Sequence, residues 1–255
     1  MTTIVYRITL LEPGLFTALE GDPNSGVSFP YIPGSVLRGA LIHKYRENHK
    51  GQNFDPAADA TRQLFFNGTT RFLNAYPIAN DALGEPTPKT WHHVKRQDSD
   101  ATDATIHALD PKKQWNGYAA PFARKADNTA TMIQPERQLT IHIQRPRIPG
   151  RPQRNDGAIF RYEALAPQQT FQAAIQCEEA DEKTLRDLLE GEISLGGSRT
   201  GAYGRANILL LDQQAPSETP SHSTDGKLRV IFLSDVLLRD ACGQYTSDPK
   251  VVRAA

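Results

Sequence analysis

Between residues 170 and 211 the chain reads strand, helix, glycine-rich loop, strand, and this order constrains the fold more than any other stretch. The strand covers 170–177. The helix covers 181–190, with Leu185, Leu188 and Leu189 on one face and a C-terminal stop at Gly191. The loop covers 195–205, and the strand 206–211 follows it. A similar strand–helix pair opens the chain. In 3–11, Ile4, Tyr6, Ile8 and Leu10 alternate with residues of a second face. A loop over 12–33 holds Pro13, Gly14, Gly21, Pro23, Gly26, Pro30 and Pro33. Ser35 then stands as the expected N-cap of a helix reaching about Asn48, whose apolar stripe is Val36, Leu37, Ala40, Leu41 and Tyr45.

The middle of the chain is less regular. Phe65 and Phe66 read as a helix end, and Phe72 and Leu73 as a strand continued by 75–78. Residues 81–130 are polar and poor in periodicity, and read as a long excursion or an inserted irregular subdomain. Order returns at 138–144, where Leu139, Ile141 and Ile143 alternate with Thr140 and His142. A loop rich in Pro and Arg follows, then a strand at 158–165, so the pair reads as an extended hairpin. The whole order is compatible with an α+β, ferredoxin-like β-α-β-β-α-β unit carrying a long hairpin. Residues 213–226 read as a linker rich in Gln, Pro, Ser and Thr. A new strand starts at Lys227 and cannot be stable alone, so a second, incomplete domain is expected over 227–255.

Charge narrows the choice of partner. The 255 residues include 29 basic and 29 acidic side chains, which excludes a nucleic-acid binder that works through global positive charge. The hydrophobic share of 38% is ample for a core and excludes wholesale disorder. Arg outnumbers Lys 19 to 10, and Arg supplies the planar fork that suits phosphate and stacks on bases. The basic residues are also gathered: 137–161 holds Arg137, Arg145, Arg147, Arg151, Arg154 and Arg161 against the single acid Asp156. A projecting hairpin with such a tip can track a nucleic-acid backbone or wedge into a strand; the bland alternative is a solvated surface loop. Two cysteines, Cys177 and Cys242, exclude a disulfide framework and a Cys-rich metal site. The first residues lack the basic start and apolar run of a signal peptide, and no apolar stretch approaches the ~20 residues of a membrane span. A soluble, cytoplasmic setting without membrane partners is the expectation.

The loop 195–205 places Gly196, Gly197, Gly201 and Gly204 among Ser198, Arg199 and Arg205. Glycine lets a backbone come within hydrogen-bond distance of a phosphate oxygen, and the two arginines could add bidentate contacts. The loop lacks the Gly-Lys-Ser/Thr ending of a P-loop, and it does not open a helix as a dinucleotide fingerprint does. The competing reading is a turn that merely reverses the chain. At the start of the first helix, the amides around Gly34 and Ser35 and the positive end of the dipole favour an anion, with Arg38 and Lys44 in support. An ordinary capped helix accounts for the same residues. Trp91, His92 and His93, with Trp115 and Tyr118, stand near Lys95, Arg96, Lys112 and Lys113. Such a mixture could stack on nucleobases or simply pack the irregular subdomain, and the histidine pair is a weak metal motif. Asp22 lies between Gly21 and Gly26 in the first loop, where a turn-forming aspartate is ordinary; a carboxylate there could also hold a divalent cation against a phosphate.

Taken together, the helix start over 32–39 (Ile-Pro-Gly-Ser-Val-Leu-Arg-Gly) and the loop 196–205 resemble the RAMP superfamily of CRISPR-associated proteins. The hairpin end at Gly157, Ala158, Ile159 and Phe160, with Glu163 nearby, looks like the thumb of type III backbone subunits, here 137–163. The resemblance covers most of 1–212 and finds no counterpart for 81–130. It implies a ferredoxin-like, RRM-like fold that holds CRISPR RNA in a type III effector complex, alongside target RNA and other RAMP and large subunits. Carried over residue by residue, Gly34, Ser35, Arg38, Gly196, Gly197, Ser198, Arg199, Gly201 and Arg205 become guide-contact candidates, and Arg145, Arg147, Arg151 and Arg154 sit on the thumb. Binding requires no cofactor. In some relatives a loop aspartate cuts target RNA, a role that would fall to Asp22 with Mg2+ or Mn2+. The linker and the strand at Lys227 suggest a two-RAMP, type III-D architecture. The alternatives are a metal-independent processing endoribonuclease using His43 or His142, around which no Tyr/Lys constellation is visible, and a protein-interaction subunit that never touches RNA.

Overall fold

The computed structural model of the chain describes residues 1–18, 25–51, 54–104, 107–126, 129–144, 158–212, 238, 239, 242 and 244–246. Asp22, the hairpin-tip residues Arg145, Arg147, Arg151 and Arg154, the linker 213–226 and the strand expected at Lys227 lie outside the described residues, as does the side chain of Arg199. The elements in chain order are β1 (Thr2–Leu10), β2 (Ser25–Val27), α1 (Gly34–Asn48), α2 (Asp59–Phe65), β3 (Arg71–Phe72), β4 (Tyr76–Ala79), β5 (Ala82–Leu83) and β6 (Glu85–Pro86). Next come β7 (Trp91–Val94), β8 (Gln97–Asp103), β9 (Trp115–Gly117), β10 (Phe122–Ala126), β11 (Thr129–Ile133), β12 (Arg137–Gln144) and β13 (Ala158–Leu165). Then follow β14 (Thr170–Cys177), α3 (Glu179–Leu189), β15 (Gly191–Ser194), β16 (Arg205–Leu211), β17 (Leu238–Arg239) and β18 (Tyr245–Thr246).

This is a mixed α+β architecture with mostly antiparallel sheets. The main sheet has seven strands in the order β15-β16-β1-β14-β4-β5, with β3 also paired to β14. β1 lies at its centre, where Ile8 stands opposite Phe171 on one side and Ile208 on the other. Period-two alternation turns Ile4, Tyr6, Ile8 and Leu10 into one core with Phe171, Ile175 and Cys177 of β14, Leu37 and Leu41 of α1, and Leu185, Leu188 and Leu189 of α3. Each fully buried Leu or Ile contributes about 1.5–3 kcal/mol, so this single layer dominates the stability of the domain.

The start of α1 differs from the sequence expectation. The N-cap is Pro33, with no side-chain cap of its own, and not Ser35. The Gly34 amide donates instead to the Asn74 Oδ1 at 2.9 Å. A Cβ at Gly34 would overlap the Phe72 carbonyl oxygen, so glycine is required there by the approach of β3. From that edge α1 reaches β15, where the Lys44 Nζ donates to the Glu190 carbonyl at 2.7 Å.

The excursion expected to be irregular is a six-stranded antiparallel sheet in the order β6-β10-β11-β8-β7-β9. It is joined to the main sheet through the two-residue β4–β5 turn, in which Asn80 and Asp81 both take positive φ. Phe122, 2% exposed, closes the junction with its ring centroid 5.6 Å from that of Tyr76. A third sheet holds β12, β13 and β2. The hairpin pairs from Arg137 opposite Leu165 to Gln144 opposite Ala158, and β2 runs parallel to β13 from Ser25 opposite Arg161. Among the described residues no helix is long and apolar enough to cross a membrane.

Candidate nucleic-acid interface

The glycine loop connects the two strands of the β15–β16 hairpin, and does not pass directly from helix to strand as its sequence suggested. Its four glycines divide into two kinds. Gly196 and Gly204 have φ of 76° and 87°, and a Cβ on either would overlap a backbone oxygen, that of Leu15 or Leu195. They are needed to close the loop against the domain. Gly197 has open space where a Cβ would be, and Gly197, Ser198, Gly201 and Ala202 are exposed. Within this tip the Gly201 amide donates to the Ser198 carbonyl at 2.8 Å. The result is an open tip on a fixed base, a geometry that can meet a partner without much ordering cost.

The base is held from two directions. The Gly204 amide donates to the Pro13 carbonyl at 2.9 Å, and the Gly197 amide to that of Leu15 at 3.4 Å. The Gly14 and Leu165 backbones exchange two hydrogen bonds of 2.9 Å, which fastens the same 12–18 segment to β13. Tyr203, 5% exposed, buries its ring with Leu15 and Ala164. Its Oη lies 3.1 Å from the His142 Nε2. The Tyr162 ring stands 4.8 Å from His142 and 6.0 Å, edge-on, from Tyr203. His142 therefore does sit among tyrosines, contrary to the sequence reading. Tyr203 is sealed between hairpin and loop with its hydroxyl engaged, so the trio acts as a brace joining the β12–β13 hairpin to the glycine loop.

The expected cationic residues have different surroundings. The Arg205 Nε lies 3.2 Å from the Glu12 Oε1 and its Nη1 3.9 Å from the Glu192 Oε2, so two carboxylates already answer its charge. Arg137 donates to the Glu163 Oε1 at 2.6 Å. Ser35, Arg38 and Arg161 are exposed, whereas Gly34 is buried with its amide committed to Asn74. A groove of about 220 Å3 runs between Ala40, His43 and Lys44 of α1 and Ile193, Ser194 and Arg205 of the hairpin. Burial holds the Lys44 ammonium below the usual lysine range, with the Glu190 charge opposing that shift. Among the described residues no hydrogen bond or ion pair joins 34–39 directly to 196–205, and of the two motifs only Arg205 lines this groove.

Asp22 lies outside the described residues, which resume at Ser25, opposite Arg161 of the hairpin. Among the described residues no group of three or more His, Cys, Asp and Glu could hold a metal ion. The histidine pair is otherwise engaged. The His92 Nδ1 lies 2.9 Å from the Thr90 carbonyl, and the His93 ring lies 4.7 Å from that of Tyr118.

The sequence matches the model of the RAMP superfamily over residues 7–207, a span that holds both motifs and the hairpin. The chain belongs to the RAMP superfamily. No curated protein sequence matches it. Among solved structures it is similar to a chain of the type III-B Cmr-beta assembly in its apo state, with a TM-score of 0.47, 9% identity, and 83% of this chain and 98% of that chain covered. A chain of Cmr-beta bound to cognate target RNA gives 0.44, 11%, 82% and 97% in the same order. Oligomeric Cmr4 from Pyrococcus furiosus gives 0.39, 11%, 83% and 98%.

Proposed function

We propose that this chain is an RNA-binding backbone subunit of a type III CRISPR effector complex, which holds the CRISPR RNA and positions target RNA for antiviral defence. The observation that carries the reading is the superfamily match across both motifs, joined to the open glycine tip on its fixed base. A ferredoxin-like frame is part of the proposal. It is supported by the order β16-β1-β14-β4, with α1 and α3 packed on the same core. The β12–β13 hairpin is its thumb. Guide phosphates contact the tip at Gly197, Ser198, Arg199 and Gly201 and, at the exposed start of α1, Ser35 and Arg38. Arg145, Arg147, Arg151 and Arg154 face the guide–target duplex. Gly34, Gly196 and Gly204 serve by shaping the backbone, and Arg205 serves a phosphate only by exchanging Glu12 and Glu192 for it. The partners are other RAMP and large subunits, in the cytoplasm. The type III-D form of the proposal rests on the sequence of 213–226 and the strand at Lys227.

The test is filter binding of single-stranded RNA carrying a CRISPR repeat to the purified chain. Arg38→Glu and Ser198→Glu are each expected to weaken binding about tenfold, since both replace a phosphate contact with a repelling charge. Unchanged affinity in both would remove the two motifs from the interface. Cleavage of that RNA in EDTA, abolished by His43→Ala, would replace the scaffold reading with the processing nuclease. Target cutting by Asp22 with Mg2+ or Mn2+ is tested separately: Asp22→Ala in the assembled complex should abolish one cut and leave RNA binding intact.

A further inference from the structure

The six-stranded insertion gathers aromatic side chains that the interface above does not use. β7 and β9 pair with His93 opposite Asn116 and Val94 opposite Trp115. This brings His93, Trp115, Asn116, Tyr118 and Met132 to the wall of one shallow, open cavity of about 580 Å3. The Trp115 indole N–H donates to the Asp110 carbonyl at 2.9 Å, which fixes its ring. The His93 and Tyr118 rings lie 4.7 Å apart. His93 and Trp115, 22 positions apart in sequence, thus share one concave aromatic wall with Tyr118, and Asn116 adds a polar amide to it.

The turns at this end of the insertion carry four exposed cations. Lys95 and Arg96 are exposed on the turn between β7 and β8, and Lys112 and Lys113 are exposed just before β9. The two turns are tied together, because the Lys95 amide donates to the Gln114 carbonyl at 2.8 Å. The acid within 107–118 is Asp110, whose carboxylate accepts the Lys112 amide at 2.9 Å. A flat ring face beside clustered ammonium and guanidinium groups matches a base and its phosphate at once, whatever the base.

We infer that this cavity is a second RNA site, in which a nucleobase of single-stranded RNA stacks on Trp115 and Tyr118 while Lys95, Arg96, Lys112 and Lys113 hold the flanking phosphates. It goes beyond the interface above and shares with it only the class of ligand.

The experiment uses the full chain and a fluorescein-labelled oligouridine of about 12 nucleotides, long enough to fill a typical single-strand site. Tyr118→Ala is expected to weaken binding about tenfold, and Tyr118→Phe, which keeps the ring, to restore it. The double variant Lys112→Glu, Lys113→Glu changes only exposed side chains, so it tests the site without risk to the insertion; it should weaken binding by a similar factor and flatten the salt dependence. Both losses should persist in a chain already carrying Arg38→Glu. Wild-type affinity in Tyr118→Ala or in the double lysine variant overturns the site, as does a Tyr118→Phe chain as weak as Tyr118→Ala. Loss of a co-purifying protein from Tyr118→Ala with RNA affinity unchanged also overturns it, in favour of a protein contact. If Arg38→Glu abolishes binding while the pocket variants leave it untouched, this site falls and the backbone reading stands. If no form of the chain binds RNA, both fall.

Discussion

Tyr6 lies fully buried at the centre of β1, and its hydroxyl has no hydrogen-bond partner among the described residues. Burial raises its pKa far above the usual phenol range, which is the same desolvation seen from the side of the proton. An unanswered buried hydroxyl costs about 1–3 kcal/mol, while the ring itself fills the space between α1, α3 and the sheet. Tyr6→Phe keeps the ring and deletes the unsatisfied atom. It should therefore raise stability by about 1 kcal/mol, seen as a higher midpoint in urea at unchanged slope. A lower midpoint would mean that the hydroxyl is answered by an ordered water in solution. Cys177, on the neighbouring strand β14, makes the opposite point about buried polar atoms. Burial and the nearby Glu182, Asp181 and Glu178 carboxylates push its thiol up to about 11, so it packs as a small apolar residue and not as a nucleophile.

At the scale of elements, the β15–β16 hairpin separates structural from functional glycine. Gly204→Ala would force a Cβ onto the Leu195 carbonyl at a φ of 87° and break the pairing of Leu195 with Gly204; a loss of at least about 2 kcal/mol is expected. Gly197→Ala meets nothing and should leave the unfolding midpoint in place while weakening RNA binding. If the two variants are equally unstable, the tip is not the open element described above. The same hairpin marks how far the sequence could be read. β1, β14, β16 and α3 were legible because each buries one face over many residues and so imposes its own period, whereas β12 shows the alternation with Leu139 and Ile141 exposed. β15 has a single buried residue, Ile193, and β2 has three residues in all, so both are defined by their partners and not by their own pattern. The insertion was misread for the same reason, since its strands run from two to seven residues with polar residues throughout. Within the site, the glycine loop announced itself, but its brace did not. His142 finds Tyr203 61 positions away, and Gly34 finds Asn74 40 positions away, distances at which no local pattern operates.

For the whole molecule, the balance of 29 basic and 29 acidic residues sets what RNA binding can look like. Several of the basic groups already answer carboxylates inside the fold, Arg137 with Glu163, Arg186 with Glu182, and Arg205 with Glu12. The long-range field is therefore weak, and affinity must come from a small number of direct phosphate contacts. Each such contact on single-stranded RNA contributes about 0.7 to the slope of log affinity against log salt. If Arg38, Arg199, Arg145, Arg147, Arg151 and Arg154 each reach a phosphate, they add roughly −4 to the slope, and Lys95, Arg96, Lys112 and Lys113 of the inferred second site roughly −3 more. Changing the four hairpin-tip arginines to glutamine should make the slope shallower by roughly 3. Salt-titrated filter binding of the wild type and the quadruple variant measures both slopes. A slope that the quadruple variant leaves in place would remove the hairpin from the phosphate contacts and leave them to Arg38, Arg199 and the insertion's Lys95, Arg96, Lys112 and Lys113.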